Sequence, residues 1–169
     1  EMLEWRARGS LHAKHVQHPP LYYVLLWPFA SLPFPAVAML LYVSQWLWYA
    51  LAIAVMVRSA SAASRPSAGD YLLATLLMVN FQPFLETAAL HKVEGLELLV
   101  ICLAIELFRR GRDALAGAAV VFGANLKYLP GILALYFLVK RERRAIVGML
   151  AAAVVCLAVS VVALSDAGW

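Results

Sequence analysis

Residues 114–139 read ALAGAAVVFGANLKYLPGILALYFLV, an apolar stretch that is broken by Lys127 and Pro130. Basic residues lie at both of its ends, within 109–112 and 140–144. Loops that are rich in Lys and Arg stay on the cytoplasmic side of a membrane. If both clusters follow this rule, the stretch must enter and leave on the same side, and we predict a hairpin of two short helices.

A single crossing helix is the alternative for the same stretch. A continuous helix over 114–139 would be about 39 Å long, which is enough to cross a membrane. This arrangement places one basic cluster outside and leaves Pro130 and Gly131 inside a helix, where a proline costs about 3 kcal/mol. We therefore favour the hairpin.

The composition of the whole chain is typical of an integral membrane protein. Hydrophobic residues make up 64% and charged residues 14% of its 169 residues, whereas soluble domains are about half apolar and a quarter charged. The net charge is +4, but most of the basic residues lie in short segments between apolar stretches. These residues therefore indicate membrane topology, and we expect no nucleic-acid partner.

The apolar stretches divide the chain into helices within one partial transmembrane domain that covers 1–169. The predicted segments are an outer loop at 1–20, a re-entrant or interfacial segment at 21–32, spans at 36–57, 71–89, 93–108 and 145–164, and the helical hairpin at 114–139. The expected fold is an all-α, polytopic transmembrane helical bundle, because helices satisfy their backbone groups internally in lipid. The chain starts at Glu1 and ends soon after an apolar stretch, which favours an excerpt from a longer protein.

Lys127 is the first candidate for chemistry, because ionisable groups at membrane depth usually line a cavity or a site. It lies where the first hairpin helix should end, and Pro130 suits the first position of the second helix. A helix start and a lysine ammonium together form an anion site, for example for a lipid phosphate. A lysine that extends from a helix end to the lipid headgroups is the alternative, and both interpretations stay open.

Titratable residues also cluster within 91–97, near the predicted outer face of the membrane. Helical spacing would place His91 and Glu94 on one face, where a metal site or a general acid–base pair is chemically feasible. Together with Lys92 and Glu97, however, they are more typical of a solvated helix end. We therefore expect no metal.

The N-terminal region combines a polar segment with aromatic side chains. His12, His15 and His18 are most simply explained by an exposed polar loop. Tyr22, Tyr23 and Trp27 resemble the aromatic belt that membrane proteins place at the lipid–water interface. A platform for stacking a sugar is the alternative interpretation of these aromatic residues.

The order of several short motifs resembles the polyprenyl-phosphate-dependent membrane glycosyltransferases of family 87, in the C-type superfamily. The motifs are HPPLY at 18–22, WPF at 27–29, EGLE at 94–97, RRGR at 109–112, AG at 116–117 and NLKYLP at 125–130. The family usually has an aromatic residue where His18 stands, and a Gln and an Asn that EGLE lacks. The superfamily's catalytic carboxylate lies in the first outer loop, and we assign no residue of this chain to that role.

The resemblance implies a C-type glycosyltransferase fold and a transferase activity. A sugar of the mannose or arabinose type would pass from a polyprenyl-phosphate donor to a lipid or polysaccharide acceptor on the outer membrane face. An outer-loop carboxylate would deprotonate the acceptor, and Lys127 with the hairpin's helix end would stabilise the phosphate leaving group. We expect a multi-pass protein of a bacterial plasma membrane, with membrane lipids, donor and acceptor as partners and no further cofactor. The predicted substrate-binding residues are Lys127, Tyr128, His91, Glu94, His18 and Tyr22.

Two other classes of protein remain as alternatives. A secondary transporter also uses broken helices and an ionisable residue to build a substrate site near the middle of the membrane. A noncatalytic membrane scaffold explains the apolar stretches but not the position of Lys127 beside a helix break.

Overall fold

The computed structural model describes residues 20–29, 31–61, 65–80 and 94–166, and all regular elements within these ranges are helical. The all-α prediction is therefore confirmed for this part of the chain. The predicted outer loop, His18, His91 and the second half of the 71–89 segment lie outside the described residues. The α-helices are α1 (Pro20–Leu26), α2 (Phe34–Ala60), α3 (Ala68–Val79), α4 (Glu94–Arg109), α5 (Asp113–Leu126), α6 (Ile132–Lys140) and α7 (Arg143–Asp166). Short 3-10 turns occupy Trp27–Phe29 and Leu129–Gly131.

Two of these helices, Phe34–Ala60 and the Arg143–Ala163 part of α7, are long and apolar enough to cross a membrane. α2 starts after Pro33 and carries Pro35 in its first turn. The backbone N–H that a proline lacks would make no hydrogen bond within the helix at this position. Its 27 residues give a helix of about 40 Å. Arg58 lies in its last turn, as expected for a helix that ends at a membrane surface.

α4 packs parallel to α2 but covers only part of its length. At one end the backbone N–H of Gly95 donates to Gln45 Oε1 at 3.3 Å, and at the other the hydroxyl of Ser59 donates to Glu106 Oε2 at 2.5 Å. Gln45 is eleven residues into α2, so α4 begins about 16 Å along the axis of α2. The first turn of α4 therefore lies near the middle of the longer helix.

The stretch 114–139 forms the helical hairpin, with its break at Lys127. Lys127 ends α5 in an extended conformation (φ −156°, ψ 148°), and its backbone N–H still donates to the carbonyl of Gly123 at 2.9 Å. The prediction that Pro130 opens the second helix needs a correction. Pro130 lies in the 3-10 turn, and α6 starts two residues later, at Ile132.

α6 returns toward the end of the bundle from which α5 started. Phe137, near the end of α6, is buried and its ring centre lies 5.2 Å from that of Phe108, at the end of α4. α5 begins only a few residues after Phe108. The two feet of the hairpin therefore lie at the same end, and its turn lies at the other. The buried core around Phe137 consists of Ala104, Ala116, Val120, Ala145 and Met149.

α5 and α7 approach so closely that their backbones touch. A Cβ added to Gly117 would lie 2.0 Å from the carbonyl oxygen of Ala145. A Cβ added to Gly148 would lie 1.9 Å from the carbonyl oxygen of Ala114. Small residues at these positions let the two helices pack without a side-chain layer between them, as is common in membrane bundles. We call these four residues the glycine contact.

α3 begins with a reciprocal cap. Its N-cap is Ser67, whose hydroxyl accepts from the backbone N–H of Asp70. The carboxylate of Asp70 in turn accepts from the backbone N–H of Ser67 at 2.7 Å and from its hydroxyl at 2.9 Å. These hydrogen bonds, the backbone one first, lower the pKa of Asp70.

Candidate functional site

Five polar residues meet where the first turn of α4 and the turn of the hairpin reach the middle of α2. Gln45 and Tyr49 come from α2, Glu94 and Glu97 from α4, and Lys127 from the break after α5. Polar and ionisable groups at this depth are costly in lipid and are retained mainly at functional sites. We refer to these five residues as the mid-depth cluster.

Lys127 is ion-paired with both carboxylates of the mid-depth cluster. Its ammonium lies 2.8 Å from Glu94 Oε1 and 3.7 Å from Glu97 Oε2. The side chain of Lys127 is 35% exposed, compared with 19% for Glu94 and 5% for Glu97. The lysine thus stands at the open side of the cluster, with the carboxylates beneath it. This arrangement differs from a lysine that extends alone to the lipid headgroups.

The two carboxylates keep unused hydrogen-bonding capacity. Glu94 Oε2 and Glu97 Oε1 are buried and have no hydrogen-bond partner in the described part of the chain. The two carboxylates and the ammonium carry a formal charge of −1. Buried acceptors without a donor are rare in folded proteins, and those that occur usually meet water, an ion or a ligand. The cluster therefore offers two acceptor atoms to hydroxyl or N–H groups.

Gln45 and Tyr49 form the part of the cluster that lies on α2. Gln45 is fully buried, donates from Nε2 to the Tyr49 hydroxyl at 3.3 Å and accepts from the backbone N–H of Gly95. This hydrogen bond from Gly95 holds the first turn of α4 against α2. Polar residues four apart on an otherwise apolar span would have identified this pair from the sequence.

The structure brings together only some of the residues that the sequence singled out. Lys127 and Glu94 are in direct contact, and Glu97 joins them. The interpretation of a solvated helix end is wrong for Glu97, because α2 and the hairpin turn cover it. Tyr128 is 70% exposed. Tyr22 lies in α1, on a segment that packs against α5 and α7.

Among the described residues, no three His, Cys, Asp or Glu side chains group together. Cys102 and Cys156 are both free thiols. The mid-depth cluster itself supplies an ammonium, two carboxylates, an amide and a phenol. Such groups bind polar ligands and move protons.

The sequence profile of glycosyltransferase family 87 matches residues 17–169. The chain belongs to glycosyltransferase family 87. The match includes the seven helices of the described residues and the mid-depth cluster, and it agrees with the resemblance that the short motifs indicated. The family 87 chain is thus a membrane glycosyltransferase, which favours the enzyme over the transporter and the scaffold. Neither the curated proteins nor the solved structures compared with the chain match it significantly.

Proposed function

We propose that this glycosyltransferase transfers a sugar of the mannose or arabinose type from a polyprenyl-phosphate donor. The acceptor is a lipid or polysaccharide on the outer face of a bacterial plasma membrane. Family membership supports the reaction class. The observation that carries the site is the contact of the partly exposed Lys127 with Glu94 and Glu97, which places a cation beside carboxylate oxygens that have no other partner among the residues described.

Lys127 contacts the donor phosphate in this proposal. A lysine ammonium has three N–H groups; the hydrogen bond to Glu94 uses one of them, which leaves two for phosphate oxygens. When the acceptor hydroxyl attacks the anomeric carbon, its proton passes to a carboxylate base, a role to which we assign no residue of this chain. The bond between sugar and phosphate breaks, and the phosphate leaves with the electron pair. Negative charge then grows on the phosphate, and a fixed ammonium stabilises it most at that point. The carboxylates hold the ammonium in place.

The unpartnered oxygens of Glu94 and Glu97 accept hydrogen bonds from the sugar. Ring hydroxyls are donors of the right kind for two buried carboxylate oxygens, and a charged acceptor strengthens each hydrogen bond. The polyprenyl chain lies against the apolar residues of the hairpin that face lipid, among them Leu129, Ile132 and Leu135, all of which are exposed. Phosphate, sugar and prenyl chain thus each have a matching surface.

The donor class can be tested with the full-length protein in nanodiscs. We expect transfer from polyprenyl-phosphate mannose or arabinose to a glycolipid acceptor, and none from the nucleotide-linked forms of the same sugars. The product is measured by mass spectrometry of the extracted lipids. Glu97→Gln keeps the shape of the side chain but is a weaker hydrogen-bond acceptor for the sugar. It should therefore raise KM for the sugar donor. Turnover of a nucleotide sugar at an equal rate would refute the proposed donor.

A multi-pass topology, with both feet of the hairpin in the cytoplasm, accompanies this proposal. In a variant without Cys102 and Cys156, cysteines introduced at Arg112 and Lys140 should react only with reagents that enter the cytoplasm. A cysteine at Ser10 should react from outside. Labelling of the Lys140→Cys protein from outside, with Arg112→Cys labelled from inside, would contradict the hairpin in the membrane.

A further inference from the structure

A small cavity opens at the opposite end of α4 from the mid-depth cluster. It has a volume of about 170 Å³, which equals roughly five to six waters and is enough for a phosphate group. It lies between the last turns of α2 and α4 and the start of α5. The lining residues are Val55, Arg58, Leu103, Glu106, Leu107, Arg110 and Arg112.

The rim of this cavity has an excess of positive charge. Three arginines and one glutamate line it, which gives a formal charge of +2. The carboxylate of Glu106 already accepts hydrogen bonds from Arg110 Nε at 2.6 Å and from the hydroxyl of Ser59. Arg58 and Arg112 are exposed and have no ion-pair partner within the described ranges. Two guanidinium groups are therefore available to an anion.

The wall below the arginines is apolar. Val55 and Leu103 lie one turn before Arg58 and Glu106 on their helices, and Leu103 is exposed. The apolar wall therefore continues into the surface that faces lipid. A cavity with cations at its rim and an apolar wall toward the membrane interior matches an amphiphile, in which a phosphate is joined to acyl chains. A free phosphate would gain nothing from the apolar wall.

We propose that this cavity binds an anionic glycerophospholipid of the cytoplasmic leaflet. The phosphate lies between Arg58 and Arg112, and the first part of an acyl chain lies along Val55 and Leu103. Guanidinium groups suit this ligand, because they form paired hydrogen bonds with phosphate oxygens. The site is separate from sugar transfer, since Glu106 in its lining lies twelve residues, or about 18 Å along the helix, from Glu94.

The test compares phosphatidylglycerol with phosphatidylcholine of the same acyl chains. Each lipid is added to the delipidated full-length protein in detergent, and bound lipid is counted by native mass spectrometry. Replacing Arg58 and Arg112 together with glutamine should weaken phosphatidylglycerol binding roughly thirty-fold, from the usual contribution of two basic residues. Phosphatidylcholine, whose phosphate charge is balanced by its own ammonium group, should bind the wild type more weakly and lose less affinity in this variant.

Two matched variants separate this cavity from general surface charge. Arg143→Gln with Arg144→Gln removes the same charge from residues outside the cavity, and it should leave phosphatidylglycerol binding as in the wild type. Arg58→Lys with Arg112→Lys keeps both charges and should retain most of the affinity. An equal loss in the Arg143 and Arg144 variant would overturn the proposal. So would displacement of the lipid by millimolar inorganic phosphate, which would indicate a site for the free anion.

Discussion

Removal of the Lys127 ammonium should slow sugar transfer by about two to four orders of magnitude. This range corresponds to the loss of two charge-assisted contacts with the phosphate in the transition state, at about 1.5 to 3 kcal/mol each. The single variant Lys127→Met would also leave Glu94 and Glu97 without their cation, which is itself destabilising for buried carboxylates. A loss of activity in that variant alone would not separate catalysis from folding.

The double variant Lys127→Met with Glu97→Gln solves this problem. It removes one positive and one negative group, so the formal charge of the mid-depth cluster stays at −1. Only Glu94, which is partly exposed, then lacks its cation, so we expect protein levels and an unfolding temperature closer to the wild type than those of Lys127→Met, with an equally low transfer rate. Glu97→Gln alone is measured beside it and should retain far more activity.

Lys140→Met is the control for the loss of a lysine from the hairpin. Lys140 is exposed at the foot of α6, and its replacement should leave the rate within a factor of about two, since distant surface substitutions have small effects. Lys127→Arg should keep part of the activity, because it retains the charge but changes its geometry. Full activity of the double variant would rule out the phosphate role of Lys127.

Gly148→Ala should destabilise the protein by about 3 kcal/mol, at the upper end of the usual range for overpacking. The added Cβ would meet the carbonyl oxygen of Ala114 at 1.9 Å, and a backbone oxygen cannot move aside as a side chain does. α5 and α7 must therefore separate, and the core around Phe137 loses contacts. For a chain of this size we expect the unfolding temperature to fall by about 6 to 12 °C.

Gly131→Ala is the matched control for this substitution. Gly131 has φ −58°, and a Cβ there would lie an ordinary 3.6 Å from the Cβ of Ala124. Its replacement should leave stability unchanged or raise it by up to about 1 kcal/mol. Thermal unfolding in detergent measures both variants. If Gly148→Ala were as stable as Gly131→Ala, the close approach of α5 and α7 would be disproved.

The break of the hairpin could be predicted because its causes are local in the sequence. Lys127 and Pro130 interrupt an apolar stretch, and basic residues flank both ends. The exact start of α6 was harder to predict, because a proline suits a 3-10 turn as well as the first turn of an α-helix.

The partners of Lys127 could not be predicted, because they depend on how helices pack. Glu94 lies 33 residues before it, and a hydrophobic pattern does not specify which helices meet or at what depth. Glu97 resembled a solvated residue for the same reason, since its burial results from α2 and the hairpin turn. The glycine contact was equally hidden, as Gly117 and Gly148 lie among other small residues.

The glycine contact also determines the register of the whole hairpin. Gly117 packs against α7, and Lys127 follows ten residues later. This part of α5 therefore sets the distance between the two residues along the helix axis at about 15 Å. Adding or deleting one residue between them would shift Lys127 by about 1.5 Å along the axis and rotate it by about 100°. The ammonium would then point away from Glu94. The number of residues in this interval is therefore under stricter constraint than the identity of most of them.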